Sequence, residues 1–204
     1  FRYPDPARKT GSGTGLAAAA PASRPAQRTL GRIGIGICGA GNFTRRTIIP
    51  GIRAAGLGEI VHLTSSSGTT AARVAAREDI ARSSSGFDDL LDDSAVELVV
   101  VATPHSSHGE LTARAIEAGR HVYVEKPLAI TEAELARIEK ALTGCEGQLH
   151  VGFNRRWAPM VVHAREVLAG AGPITVDYRV NAGPIGPGHW YADRREGGRL
   201  LREV

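Results

Sequence analysis

The chain has 204 residues and 42% hydrophobic content, enough to bury a core of its own, and its length suits one full domain plus part of another. The formal charge of +4 does not indicate a nucleic-acid partner. Arg2, Arg8, Lys9, Arg24, Arg28 and Arg32 face only Asp5 at the start, 19 basic and 20 acidic residues follow from Ile33 on, and a basic tail without aromatic interleaving is not a polyanion-binding face.

Residues 1–31 are rich in Gly, Ala, Pro and Arg without apolar periodicity, and are expected to form a flexible linker. The chain opens on Phe1 and its one methionine is Met160, so either its start has been trimmed or it is an internal piece of a longer protein. From Arg32 short β-branched runs alternate with helical stretches, the signature of a parallel sheet built from βαβ units. The strand runs are Ile33 to Cys38, Glu59 to Thr64, Glu97 to Ala102, His121 to Glu125 and Leu149 to Gly152. Helices are expected near Phe43 to Ala55, Thr69 to Arg77, Ser107 to Ala118 and Thr131 to Leu142. The last two open with capping-box spacing, Ser107 with Glu110 and Thr131 with Glu134, and Gly119 is placed to end its helix in a left-handed cap.

After Gly152 the alternation changes to a helix near Pro159 to Ala169, a strand near Ile174 to Val180 and a loop dense in Gly and Pro. The expected fold is therefore α/β, with a doubly wound Rossmann-type parallel sheet over residues 32–152 and the truncated start of a second domain over 153–204. No apolar stretch approaches the roughly 20 residues of a membrane helix. Cys38 and Cys145 show neither disulfide nor ligand spacing, which fits a reducing compartment and makes the cytoplasm the expected location.

The run Cys38-Gly39-Ala40-Gly41-Asn42-Phe43 puts a glycine-rich turn between a buried strand and a helix. Gly39 suits the tight turn, and Gly41 lets the backbone approach a pyrophosphate held by the helix amides. Thr44 stands where a third Gly or Ala is usual, and a purely structural turn is the alternative reading. The second strand runs into Ser65-Ser66-Ser67-Gly68 without the carboxylate that reads the ribose of NAD. Ser65 and Ser66 leave room for a 2′-phosphate, with Arg73 a candidate partner, so the cofactor is NAD or NADP with a lean to NADP. Serines there are also ordinary turn residues.

The next strand ends in Thr103-Pro104-His105-Ser106-Ser107-His108, and His108 reads either as a helix-start residue or as a ligand contact. His105 and His108 lack the Cys or carboxylate cluster of a metal site, and no metal is expected. Glu125-Lys126-Pro127 follows the last buried strand. In a chain of 22 arginines and three lysines, a lysine at a strand end suggests an ammonium that transfers a proton, as arginine cannot; Lys140 on the following helix shows that lysine also serves as a plain surface charge. Asn154-Arg155-Arg156-Trp157 reads as a solvated basic turn or as an arginine and an amide aimed at an anion. Gly188-His189-Trp190-Tyr191 reads as a sugar-stacking loop or as cover for a sheet edge.

Taken in order, Gly39-Ala40-Gly41-Asn42-Phe43, Ala102-Thr103-Pro104 with His108, Gly119-Arg120-His121-Val122-Tyr123-Val124-Glu125-Lys126-Pro127-Leu128-Ala129 and Val151-Gly152-Phe153-Asn154-Arg155-Arg156 resemble the Gfo/Idh/MocA family. The resemblance implies hydride exchange with the C–H of a sugar, polyol or related alcohol. It implies that Gly39, Ala40, Gly41, Asn42 and Phe43 hold the pyrophosphate. Thr103, Pro104 and His108 would line the nicotinamide, Glu125 would contact the nicotinamide ribose, and Lys126 would lie between nicotinamide and substrate. Asn154 and Arg156 join the candidate cofactor contacts.

The resemblance also implies a second, α+β domain with a largely antiparallel sheet, a surface for homo-oligomer formation in the complete protein. Gly197-Gly198-Arg199-Leu200-Leu201 resembles its glycine-rich helix start, with Arg202 near the place of a common aspartate and Glu203 beside it. The stretch is most similar to members fused behind a zinc-type alcohol dehydrogenase domain. A non-catalytic nucleotide-binding sensor on the same fold is the alternative expectation.

Overall fold

Side chains of alternating sign of burial cannot line a sheet covered on both faces, so its strands read as continuous apolar runs. The computed structural model, which describes residues 31–56, 58–179, 184, 189 and 193–196, shows a sheet whose two central strands are buried in this way and whose outer strands carry polar and exposed positions. The expected linker Phe1 to Leu30, most of the loop around Trp190, and the Gly197 to Glu203 segment lie outside the described residues.

Six strands, β1 (Ile33–Cys38), β2 (Gly58–Thr64), β3 (Arg82–Ser84), β4 (Leu98–Val101), β5 (His121–Val124) and β6 (Leu149–Val151), pair in the order β3-β2-β1-β4-β5-β6. Every pairing is parallel. The chain winds outward from β1 to β3, then crosses back to β4 and winds the other way, so a topological switch point lies between β1 and β4.

Helices α1 (Ile49–Ala55), α2 (Gly68–Arg77), α3 (Phe87–Leu91), α4 (His108–Glu117), α5 (Glu132–Leu142) and α6 (Pro159–Val167) follow the strands. Two apolar clusters form the core. One gathers Ile35, Ile37, Leu63 and Val100 with Ile49, Val74 and Ala75 of α1 and α2. The other gathers Val99, Val101, Val122 and Val124 with Leu90, Ile116 and Ile138 of α3, α4 and α5.

The glycines of β1 answer to space rather than to strand propensity. A Cβ on Gly34 would stand 1.7 Å from the Ala95 carbonyl oxygen, and one on Gly36 would stand 2.9 Å from Val96.

Four local expectations meet a different outcome. The helix expected from Phe43 to Ala55 is split: Thr44–Ile48 winds as a π-helix, the Ile49 N–H reaching back to Thr44 O, before α1 begins. Pro50 has no N–H to give and its ring would press on the carbonyl four residues back, so an unbroken α ladder cannot pass it.

The Ser107–Glu110 capping box does not form. His105–Ser107 is a 3₁₀ turn whose Ser107 hydroxyl donates back to Pro104 O at 2.7 Å. The Thr131–Glu134 box is present in both directions, and Gly119 caps α4 at φ 74°. The strand expected from Ile174 is absent over residues 174–179; Ile174, Val176 and Tyr178 are exposed, and no ladder pairs them with any of the described residues.

The fourth difference is an addition, β3 and the five-residue α3; α3 is apolar at Phe87, Leu90 and Leu91, whereas β3 carries no apolar residue. β3 is Arg-Ser-Ser, and polar groups hold it. His62 on β2 meets Asp93 Oδ2 through Nδ1 and Ser84 Oγ through Nε2, each at 3.0 Å. Asp93 also accepts from Arg82 and from the Ala95 N–H, and Thr64 Oγ1 donates to Ser84 O and Gly86 O.

Burial opposes the charge on Asp93, yet the hydrogen bonds from Arg82, His62 and Ala95 outweigh it and hold the carboxyl at about 2. The value in an unfolded chain is ~3.9. A depressed folded value contributes stability that is full above the unfolded value and is lost as pH falls toward about 2.

Asp93→Asn is therefore expected to lower the urea midpoint at neutral pH and to flatten the acid-side loss of stability below pH ~4; parallel acid profiles for both proteins would contradict this. Gly34→Ala is expected to destabilise by on the order of 3 kcal/mol through overpacking. Gly51→Ala, whose Cβ meets nothing within 4 Å in α1, should stabilise by up to about 1 kcal/mol. Urea midpoints of the two variants check the pair.

Candidate functional site

Parallel strands bring all their carboxyl ends to one edge, and backbone bonds stitch those ends together. Gly39 N–H donates to Thr64 O, Ala102 N–H to Cys38 O, Glu125 N–H to Val101 O, and Gly152 N–H to Val124 O, at 2.8–2.9 Å. The candidates at 39–43, 65–66, 103–108, 125–126 and 154–156 lie on the segments that leave these ends, whereas most of the Gly188–Tyr191 loop lies outside the described residues.

Gly39 leaves β1 at φ 113°, and a Cβ on it would stand 2.3 Å from the Ala102 carbonyl oxygen. This is a backbone position that only glycine fills without displacing β4. Gly41 has no heavy atom of the described residues within 4 Å of where a Cβ would be, and Asn42 and Phe43 beside it are exposed. The first N–H groups of a helix have no partner within it. An open, side-chain-free approach to such a turn fits the pyrophosphate of a dinucleotide. Ala40 is buried beneath it, and Arg45 donates to Asn42 Oδ1 at 2.5 Å.

Thr44, in the third motif position, is wholly buried, and its hydroxyl finds no partner among the described residues. The Cys38 thiol below the turn is pushed up to about 12 by burial, which leaves it unreactive.

Across the switch point, Thr103 Oγ1 bonds Ser107 Oγ at 2.7 Å, and Pro104 follows Thr103 at the rim. His108 is 1% exposed. Its Nδ1 lies 2.8 Å from Pro127 O and its Nε2 2.9 Å from Thr103 O, so the ring ties the loop after β4 to the loop after β5. Glu196 joins this loop. Its carboxylate accepts from the Ser106 N–H and hydroxyl at 3.0 and 2.8 Å, while its carbonyl lies 3.1 Å from His105 Nδ1. Burial raises the Glu196 carboxyl, but the Ser106 donors prevail and keep it below its ordinary range.

Glu125 is buried and Lys126 half-buried at the end of β5, and the Lys126–Pro127 peptide is cis. Glu125 Oε1 accepts from the Tyr123 hydroxyl at 3.0 Å. Tyr123 did not stand out in the sequence, although it and Glu125 are two residues apart and so share one face of the sheet.

Ser65 and Ser66 leave β2, where Ser65 N–H donates to Ser84 O, and Arg73 is exposed on α2. Asn154 and Arg156 lie exposed on a 3₁₀ turn, Asn154–Trp157, after β6, with the Arg156 guanidinium 5.9 Å from the centre of the Phe153 ring. Among the described residues no group of three or more His, Cys, Asp or Glu side chains could hold a metal ion, and no helix is long and apolar enough to cross a membrane.

Comparison with known proteins agrees with this geometry. Residues 33–153 match the Gfo/Idh/MocA family, described as an oxidoreductase family with an NAD-binding Rossmann fold. The chain is 37% identical over 128 residues to a 1,5-anhydro-D-fructose reductase of Ensifer adhaerens, covering 63% of this chain and 38% of that protein. It is 36% identical over 141 residues to inositol 2-dehydrogenase 2 of Saccharopolyspora erythraea, covering 68% and 40%. Among solved structures, KijD10, a 3-ketoreductase from Actinomadura kijaniata in complex with NADP and TDP-benzene, superposes with a TM-score of 0.63 at 26% identity, covering 68% of this chain and 42% of that one. The chain thus spans about two fifths of the length of the curated relatives it matches. A match over more than half of its residues, on a sheet wound in the order such a fold requires, makes this chain a member of the Gfo/Idh/MocA oxidoreductase family.

Proposed function

We propose that this chain is the dinucleotide-binding part of an NAD(P)-dependent oxidoreductase that exchanges hydride with the CH–OH carbon of a sugar, polyol or related alcohol. The observation that supports it most is the shared edge on which the open Gly41 turn, the Thr103–Pro104 loop and the Glu125–Lys126 pair meet.

Residues 39–43 would receive the pyrophosphate on free helix amides, and the bare Gly41 Cα keeps that approach open. Thr103 and Pro104 would shape the nicotinamide pocket while His108, held beneath them, keeps the two loops in register. Glu125 would meet the nicotinamide ribose. A bound nicotinamide would supply the hydride donor or acceptor. Lys126, next along the chain, would hold or move the proton at the alcohol or carbonyl oxygen of the substrate, a role open to an amine side chain and not to a guanidinium.

The cofactor preference follows from Ser65 and Ser66. With no carboxylate at the end of β2, nothing there repels a 2′-phosphate, and NADP is the favoured form, with Arg73 as its candidate partner. Asn154 and Arg156 would close the cofactor site from the β6 side. In the domain division that goes with this reading, residues 1–31 are a linker, 32–152 bind the cofactor, and 153–204 begin a substrate and oligomerisation domain, behind an alcohol dehydrogenase domain in the complete protein. The sugar and polyol names of the relatives suggest the substrate class.

Lys126→Ala in the complete protein is expected to lower kcat by about 10²- to 10⁴-fold while cofactor affinity stays nearly unchanged. Steady-state kinetics on a polyol and sugar panel, paired with a cofactor titration, make the check, and a variant that turns over normally would defeat the assignment.

A further inference from the structure

On the face of the sheet beside Glu125, four residues of two neighbouring strands meet. Tyr123 and Glu125 leave β5 on one side, and His150 and Gly152 leave β6 on the same side, with Tyr123 paired to His150 in register. The Tyr123 hydroxyl donates to Glu125 Oε1 at 3.0 Å, and its ring stacks on His150 with centroids 5.6 Å apart. Gly152 leaves the space the pair occupies. A Cβ there would stand 2.6 Å from the Tyr123 hydroxyl and 2.8 Å from Glu125 Oε1. Burial first, and then the neighbouring Glu125, push the Tyr123 phenol far above its ordinary range, so it keeps its proton and remains a donor at any working pH.

We infer that Tyr123 is a positioning residue: its hydroxyl, backed by His150 and accommodated by Gly152, fixes the Glu125 carboxylate in the orientation that receives the nicotinamide ribose. Glu125 has little freedom of its own in this arrangement. It is buried, and its next residue is Lys126, so a carboxylate that turned away would vacate the ribose contact at the residue adjoining the proton-handling side chain. The inference rests on the dinucleotide reading above and adds to it a residue through which Glu125 acts.

The test is calorimetric titration of the chain and of Tyr123→Phe with NADH, NADPH and ADP; ADP carries the adenosine end and a pyrophosphate but no nicotinamide ribose. A hydrogen bond to a charged group is worth enough for Tyr123→Phe to weaken the bound dinucleotide about tenfold, with ADP affinity unchanged. In a Glu125→Ala background the same substitution should then change nothing further, because the two act as one unit. Gly152→Ala, which crowds both groups, should give the same selective loss.

A merely structural tyrosine would lower dinucleotide and ADP affinity together. That outcome, or unchanged dinucleotide affinity, overturns the inference. A wild-type chain that binds none of the three ligands overturns the dinucleotide reading and this inference with it.

Discussion

At the switch point the backbone of Gly39 comes so close to β4 that any side chain would strike the Ala102 carbonyl at 2.3 Å. The contact requires glycine where β1 turns beside the loop that carries Thr103 and Pro104. It also sends the chain into the helix with Gly41 facing open space. The bond from Gly39 N–H to Thr64 O places the Ser65–Ser66 turn against the same point. A positive φ, a close backbone approach and an exposed helix start are thus three consequences of one residue without a Cβ.

A second constraint operates one strand further on. His108 is buried with each ring nitrogen facing a carbonyl oxygen, one from the loop after β4 and one from the loop that carries Lys126. Two loops that would otherwise move independently share one rigid ring, which is how a side chain enclosed in the fold affects the placement of Glu125 and Lys126. Loops that carry chemistry need such support from a scaffold. Glu196 bonds the same loop from outside, bringing a residue from far along the chain to Ser106.

The sheet was legible because its signal is physical and local. Buried parallel strands are largely apolar, so Ile33 to Cys38, the Leu98 to Val101 region and His121 to Val124 stood out, as did the Thr131 capping box and Gly119. β3 was not legible, because Arg82 and Ser84 are fixed by the partners Asp93 and His62, which are distant in sequence. The π-helical turn depends on what Pro50 withholds from the ladder, and the expected strand at Ile174 needed a neighbour that periodicity does not reveal. In the site, the glycine turn and the Glu125–Lys126 pair were visible as residue types at strand ends. The Tyr123 and Gly152 support, and the Ser107 hydroxyl turned back on its own loop, depend on cross-strand geometry.

We propose that the carboxyl edge at the β1–β4 crossing receives a nicotinamide dinucleotide. The most direct test is amide chemical-shift mapping of the isotopically labelled chain during titration with NADPH and, separately, NADH. Saturable shifts are expected to concentrate at residues 39–43, 65–66, 103–108 and 125–126, with the tighter response to NADPH. A folded sample that shows no saturable shift with either ligand, or shifts confined to the opposite edge of the sheet, would contradict it.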